Sequence, residues 1–232
     1  MCLKNKWALV TGSSRGIGQK IAIGLAEIGC NLFIHGRKKQ NIEKTQRLLQ
    51  NYDIEVIPVA GDLNSEEDTK ILIDNILSLK SGIDILYNNA AIQNVWKEIW
   101  DIDLSEWNKV FRVNLYSIIQ LNNAFIPEMK KRGYGRIINL SSGIKDVPQL
   151  SPYSVSKAAI DKYTKDLAAE LAGSNVLINF LDPGWLKTDM GGENAMFDVE
   201  TVLPGALVPV LLKDDGPSGE LFRAQDYKYL KI

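Results

Sequence analysis

The 232-residue sequence predicts a single-domain α/β fold: a doubly wound, parallel seven-stranded sheet flanked by helices on both faces. Three observations lead there. Short apolar runs alternate with longer amphipathic segments along the chain, the runs are apolar at consecutive positions, and no linker, repeat or low-complexity stretch interrupts them. Strands apolar on both faces belong to parallel sheets covered on each side. An unbroken strand-helix order winds such a sheet through right-handed crossovers.

Taken in order, Trp-Ala-Leu-Val opens a strand over 7–11, and a helix over 16–28 follows the glycines. The run Leu-Phe-Ile marks a strand over 31–35, and the charged stretch after it a helix over 41–51. A strand over 54–59, a helix over 65–79 and a strand over 83–87 continue the alternation. A long helix over 105–131 carries Phe111, Leu115, Ile118, Ile119 and Leu121, apolar on more than one face. The strand over 136–140 leads to a helix over 153–171, with Val155, Ile160, Tyr163 and Leu167, and then to a strand over 176–181. A helix over 199–212 and a short strand over 219–222 complete the series. Residues 1–90 carry mainly cofactor-binding features, and 91–232 the catalytic candidates and a lid.

The net charge of −1, with acids and bases interspersed, gives no basic field for nucleic acid and no acidic tail. Cys2 and Cys30 supply neither a disulfide framework nor metal-ligand spacing, which suits a reducing cytoplasm. The first residues enter an apolar strand without the pattern of a signal peptide, and no run approaches membrane-spanning length. A single histidine, His35, excludes His-based triads and multi-His metal sites. The expectation is a soluble, cytoplasmic, metal-free protein with a small-molecule partner.

Gly12, Ser13, Ser14, Arg15, Gly16, Ile17 and Gly18 sit between the first strand and first helix. Glycines there let the backbone turn tightly and approach a diphosphate, which the helix N-terminus meets with free N–H groups. No Lys-Ser/Thr pair follows the last glycine, so this is not a P-loop. NAD binders place an acid at the end of the second strand for the adenosine ribose. Here His35-Gly36-Arg37-Lys38-Lys39 stands instead, with His35 read as a strand residue. Arg37 and Arg15 are suited to charge-assisted bonds with a 2′-phosphate, so NADP(H) is preferred over NAD(H).

Tyr153 and Lys157 stand four apart, which puts them on one face of a helix. A phenol of pKa near ~10 is a poor acid or base at neutrality, and a nearby cation stabilises its phenolate. With a serine hydroxyl close by, such a tyrosine suits the conversion of a carbonyl to an alcohol.

Together these motifs resemble those of the short-chain dehydrogenase/reductase family, a Rossmann-fold family, over most of the chain. The loop 11–18 is similar to its cofactor loop, Asp62-Leu63 to its adenine-contacting pair, and Asn88-Asn89-Ala90-Ala91 to its Asn-Asn-Ala-Gly, with Ala91 in place of the glycine. Asn114 matches its catalytic asparagine, Ser142 its serine, and Tyr153 and Lys157 its tyrosine and lysine. Ser141 competes with Ser142 for that role, and the second of such a pair is the family's usual one. Asp182-Pro183-Gly184 through Thr188 resembles the segment over the nicotinamide, with Thr188 as its amide contact and Asp182 structural.

The resemblance implies hydride transfer between NADP(H) and a carbonyl or alcohol. Ser142 would hold the carbonyl oxygen and Tyr153 would exchange its proton. Lys157 would bind the nicotinamide ribose and depress the tyrosine pKa, and Asn114 would hold a water connecting Lys157 to solvent. Trp96, Trp185 and Met190 are substrate-side candidates with Met196 and Phe197, while Trp100 and Trp107 read as core or subunit-contact residues. Gly191 and Gly192 are candidate lid hinges. The stretches 183–190 and 215–219 resemble the carbonyl reductases, and the long helices suit a homodimer or homotetramer. Two alternatives remain open at this point. One is a 3-oxoacyl thioester reductase using Lys130, Lys131 and Arg132 for a carrier protein, although a charged helix end also explains them. The other is a non-catalytic NADP(H)-binding sensor.

Overall fold

Alternation of side chains along each strand explains how the sheet is covered. The computed structural model describes residues 3–231, so Cys2 lies outside it. The strands are β1 (Trp7–Val10), β2 (Asn31–Gly36), β3 (Val56–Ala60), β4 (Ile85–Asn88), β5 (Gly135–Leu140), β6 (Val176–Asp182) and β7 (Leu221–Arg223). They form one sheet in the order β3-β2-β1-β4-β5-β6-β7, and every neighbouring pair is parallel. Ala8 and Val10 point into one core, with Leu32, Ile34, Ile85 and Tyr87. Trp7 and Leu9 point into the other, with Phe33, Leu86, Ile137 and Ile178. Successive residues thus bury on opposite faces, as a doubly covered sheet requires.

The helices are α1 (Gly16–Glu27), α2 (Lys39–Leu49), α3 (Glu66–Leu79), α4 (Leu104–Phe111), α5 (Ser117–Arg132) and α6 (Ser151–Glu170). Ile21, Leu25 and Ile42 of α1 and α2 fill the first core. Leu72, Ile76, Leu121, Phe125 and Ala168 of α3, α5 and α6 fill the second. Ser65 caps α3 by accepting the Asp68 N–H at 3.1 Å, and Gly133, at φ +64°, ends α5 in the left-handed conformation. The basic last turn of α5 holds Lys130, Lys131 and Arg132, and the Arg132 guanidinium donates to the Ser81 and Ile83 carbonyls.

Two expectations need correction. The long helix is interrupted by a π-helical turn at Arg112–Tyr116 between α4 and α5. The helix expected over 199–212 is instead two 3₁₀ segments, Val199–Val202 and Gly205–Val210. Pro204 and Pro209 lack the N–H an α-helix needs, and Gly205 disfavours helix further. A smaller shift moves the last strand from 219–222 to Leu221–Arg223.

After β3 the chain crosses to the other side of β1 to enter β4, so the strand order reverses between β1 and β4. Ligands of open α/β sheets bind in the crevice at the carboxyl ends of the strands beside such a reversal.

Candidate active site

The glycine loop leaves β1 in a conformation only glycine tolerates well. Gly12 and Gly16 have φ of +64° and +55°. A Cβ at Gly12 would lie 3.0 Å from the Ala90 Cα, and one at Gly18 would lie 2.4 Å from Asn89 Nδ2 and 2.5 Å from the Gly12 carbonyl oxygen. Asn89, at the end of β4, donates to the Thr11 and Gly12 carbonyls at 2.8 and 3.2 Å. Thr11 Oγ1 accepts from the Asn89 and Ala90 N–H groups at 3.0 and 3.1 Å. The loop is therefore strapped to β4 ahead of the first turn of α1. That cradle fits a dinucleotide diphosphate.

His35 does more than the sequence suggests. The Gly12 N–H donates to its Nδ1 at 3.1 Å, so Nε2 carries the proton and donates to the Gly61 carbonyl at 3.0 Å. Burial holds this imidazole neutral, its pKa lowered to about 4. Ser13 is fully buried, and its hydroxyl accepts the His35 N–H at 2.8 Å. Its side chain therefore braces the loop instead of facing a phosphate, and only its backbone remains for that contact. Ile17 is a partly buried apolar residue packed against the first core. Leu63 is buried, whereas Asp62 is half-buried with Oδ1 accepting the Asn64 N–H. Arg37 is exposed at the end of β2 and makes no ion pair among the described residues, while Arg15 Nε meets Asp189 Oδ2 at 3.0 Å.

The catalytic candidates converge where β5 meets α6. Tyr153 and Lys157 are both buried on α6. The Ser142 hydroxyl accepts the Ile144 N–H at 3.2 Å and lies close enough to the Tyr153 phenol to lower its pKa, whereas Ser141 acts in the same way on Asp161. The two serines thus lie near different side chains. Burial raises the Tyr153 pKa above its ordinary value, the nearby Ser142 hydroxyl opposes this, and Asp182 adds to it. The expected depression by Lys157 is not found. The Lys157 ammonium lies 5.6 Å from the phenol ring centroid and donates to the Leu140 carbonyl at 2.7 Å. Burial also lowers the Lys157 pKa to about 8, against the pull of Asp161.

Asn114 occupies the π turn and is fully buried. Its amide donates to the Ile92 carbonyl at 2.9 Å and to Ser156 Oγ at 3.0 Å, while its oxygen accepts the Ile92 N–H at 2.9 Å. The side chain therefore clamps the loop after β4 to α6, and both of its amide hydrogens are spent on protein partners. A π turn is a common device at functional sites for altering the backbone pattern locally.

Beyond β6, Asp182 Oδ1 accepts the Gly184 N–H at 2.9 Å, and Gln225 holds the Pro183 carbonyl at 3.0 Å. Residues 185–198 form a braced loop. Phe197 N–H donates to the Trp185 carbonyl and Lys187 N–H to the Phe197 carbonyl, at 3.1 and 2.8 Å. Thr188 Oγ1 accepts the Gly191 N–H, and the Trp185 indole donates to the Gly191 carbonyl. Trp185 and Met190 are exposed on this loop and Trp96 is exposed on the loop after β4, so all three are open to solvent. Trp100, read as core or contact, is 78% exposed. Sequence reading missed His35 as a loop brace, Asp161, and Asn94, which ties the β4–α4 loop to the Gln149 carbonyl at 2.8 Å. A cavity of about 750 Å³ lies elsewhere, between the end of α6 and residues 214–220.

A family model described as short chain dehydrogenase matches residues 6–197. The chain is 41% identical over 188 residues to dehydrogenase/reductase SDR family member 4 of Rattus norvegicus, a match covering 80% of this chain and 67% of that one. It is 34% identical over 184 residues to an uncharacterized oxidoreductase, YvrD, of Bacillus subtilis, covering 78% and 69%. Among solved structures, a putative short-chain alcohol dehydrogenase from Sinorhizobium meliloti superposes with a TM-score of 0.86 at 27% identity, covering 100% of this chain and 99% of that one. A metagenomic short-chain oxidoreductase in complex with NADP superposes with a TM-score of 0.85 at 25% identity, covering 95% and 98%. The chain belongs to the short-chain dehydrogenase/reductase family, oxidoreductases whose fold binds a nicotinamide cofactor.

Proposed function

We propose that this protein is an NADP(H)-dependent reductase of ketones or aldehydes, with Tyr153 as general acid, Ser142 and Lys157 as its partners, and Asn114 as the support of their geometry. The observation that carries the reading is the burial of Tyr153 and Lys157 one turn apart on α6, with the ammonium 5.6 Å from the phenol ring and anchored on the Leu140 carbonyl at the end of β5.

Gly12 to Gly18 would hold the diphosphate, with Asp62 and Leu63 beside the adenine. Asn89, Ala90, Pro183, Gly184 and Thr188 would line the nicotinamide side, and Arg15 and Arg37 would receive a 2′-phosphate. The bound cofactor supplies the hydride. The protein's own part is to position a carbonyl and give it a proton. A buried phenol with a raised pKa is protonated at neutral pH, which is the form that reduction consumes. Ser142 stands beside it to donate a hydrogen bond to the same oxygen. An ammonium has three donors, and Lys157 spends one on Leu140, leaving two for ribose hydroxyls. Trp96, Trp185 and Met190 offer apolar surface to the substrate. The working form is a homodimer or homotetramer, located in the cytoplasm.

The carrier-protein reading is weaker because Arg132 is already committed to the Ser81 and Ile83 carbonyls. A 3-oxoacyl (acyl-carrier-protein) reductase from Agrobacterium tumefaciens with NADP bound does share the fold, with a TM-score of 0.84 and 27% identity. The test is to follow NADPH and NADH oxidation separately against ketones, aldehydes, quinones and acetoacetyl thioesters. Faster use of NADPH with a ketone or aldehyde is expected. Equal or better use of NADH would remove the case for Arg15 and Arg37, and silence across the panel would favour a sensor.

A further inference from the structure

We propose that Asp189 is a cofactor-discriminating residue acting through Arg15: it orients the guanidinium towards the adenosine 2′-phosphate and links that recognition to the segment after β6. This rests on the NADP(H) reading above and names the residue that serves it. Arg15 precedes α1 in extended conformation, at φ −164°, and its side chain does not cap the helix. Its guanidinium is therefore not spent on the helix end. Asp189 Oδ2 meets Nε at 3.0 Å. An arginine carries five N–H donors in a planar fork, so a carboxylate at Nε leaves both Nη groups for a phosphate.

A second contact puts the same segment on the same turn. A Cβ at Gly16 would lie 3.4 Å from Thr188 Cγ2. Residues 188 and 189 therefore sit on the first turn of α1, where free N–H groups receive phosphate. Their own loop is braced, with the Gly192 N–H on the Thr188 carbonyl at 2.8 Å and the Gly191 N–H on Thr188 Oγ1 at 3.1 Å. Asp189 is thus presented by its loop and does not swing freely. The side chains are 70% and 71% exposed, so the pair adds little to folding, and its value is to fix a long side chain in one direction. Arg37, the other cation offered to the phosphate, has no ion pair among the described residues and is not oriented in this way.

Dissociation constants of NADPH and NADH, measured by calorimetry on the full chain, decide the matter. Asp189→Asn is expected to weaken NADPH by about threefold, the range of an exposed ion pair, and to leave NADH unchanged. Asp189→Glu restores the preference. Arg15→Ala lowers it further, and Asp189→Asn then has no additional effect. An NADPH-to-NADH ratio unaltered or raised by Asp189→Asn overturns the inference while leaving the NADP(H) reading intact. A wild-type ratio near one sinks both.

Discussion

At the scale of single residues, environment decides what each group does. The Tyr153 and Lys157 spacing alone is common on helices, and it pointed to an acid–base pair only when set beside the glycine loop, Asn114 and Ser142. Their pKa directions were not legible, because burial is a tertiary property. Burial moves Tyr153 up and Lys157 down, and no close contact between them reverses either shift. The sequence offered both Ser141 and Ser142, with Ser142 preferred by resemblance, and the fold sets Ser142 near Tyr153 and Ser141 near Asp161. His35 shows the same limit, since its partners Gly12 and Gly61 are supplied by the loops after β1 and β3.

His35 also has a pH signature. Its folded pKa of about 4 lies below the unfolded value of 6.5, so between these values the unfolded chain binds the proton and the native one does not. The native state therefore loses stability as pH falls from 6.5 towards 4, by up to about 3 kcal/mol. Protonation would also set an N–H against the Gly12 N–H. Urea unfolding at several pH values across this window tests it. The wild-type curve should fall more steeply than that of His35→Asn, and parallel curves would count against a buried neutral imidazole.

At the scale of elements, the alternation of strand and helix was readable because a doubly covered parallel sheet leaves continuous apolar runs. The stretch 199–212 was misread because its apolar content suggested a helix, while Pro204, Gly205 and Pro209 gave the backbone only 3₁₀ turns. The π turn at Arg112–Tyr116 leaves no mark in residue spacing, yet it carries Asn114 and through it the loop after β4. The glycine loop was the most legible element because its chemistry is steric. Gly18→Ala drives a Cβ against Asn89 Nδ2 and the Gly12 carbonyl, both of which hold the strap between β1 and β4. Relieving such a clash costs about 1–3 kcal/mol. Calorimetric titration should show NADPH affinity falling about tenfold or more, with the far-ultraviolet circular dichroism retained. Unchanged affinity would mean that the loop adjusts without cost.

At the scale of the molecule, two cores hold the sheet from both faces, and the candidate site residues follow the carboxyl ends of β1, β4, β5 and β6. They lie in the loops and helices that follow these four strands, with Ser142, Tyr153 and Lys157 all after β5. The sequence orders these groups along the chain, and the sheet order brings them to one crevice. Fold and family were therefore readable from motif order, whereas the substrate was not. The Trp96, Trp185 and Met190 surface lies on loops whose shape the strands do not dictate. Leu104 and Val155 leave apolar side chains exposed on α4 and α6. The central claim is that the buried phenol is the proton donor of a carbonyl reduction. Tyr153→Phe, assayed with NADPH and a ketone that the wild type reduces, tests it most directly. Turnover should fall by about 10²–10⁴-fold while the NADPH dissociation constant stays within a small factor of wild type. A folded phenylalanine variant that binds NADPH and turns over at the wild-type rate would contradict it.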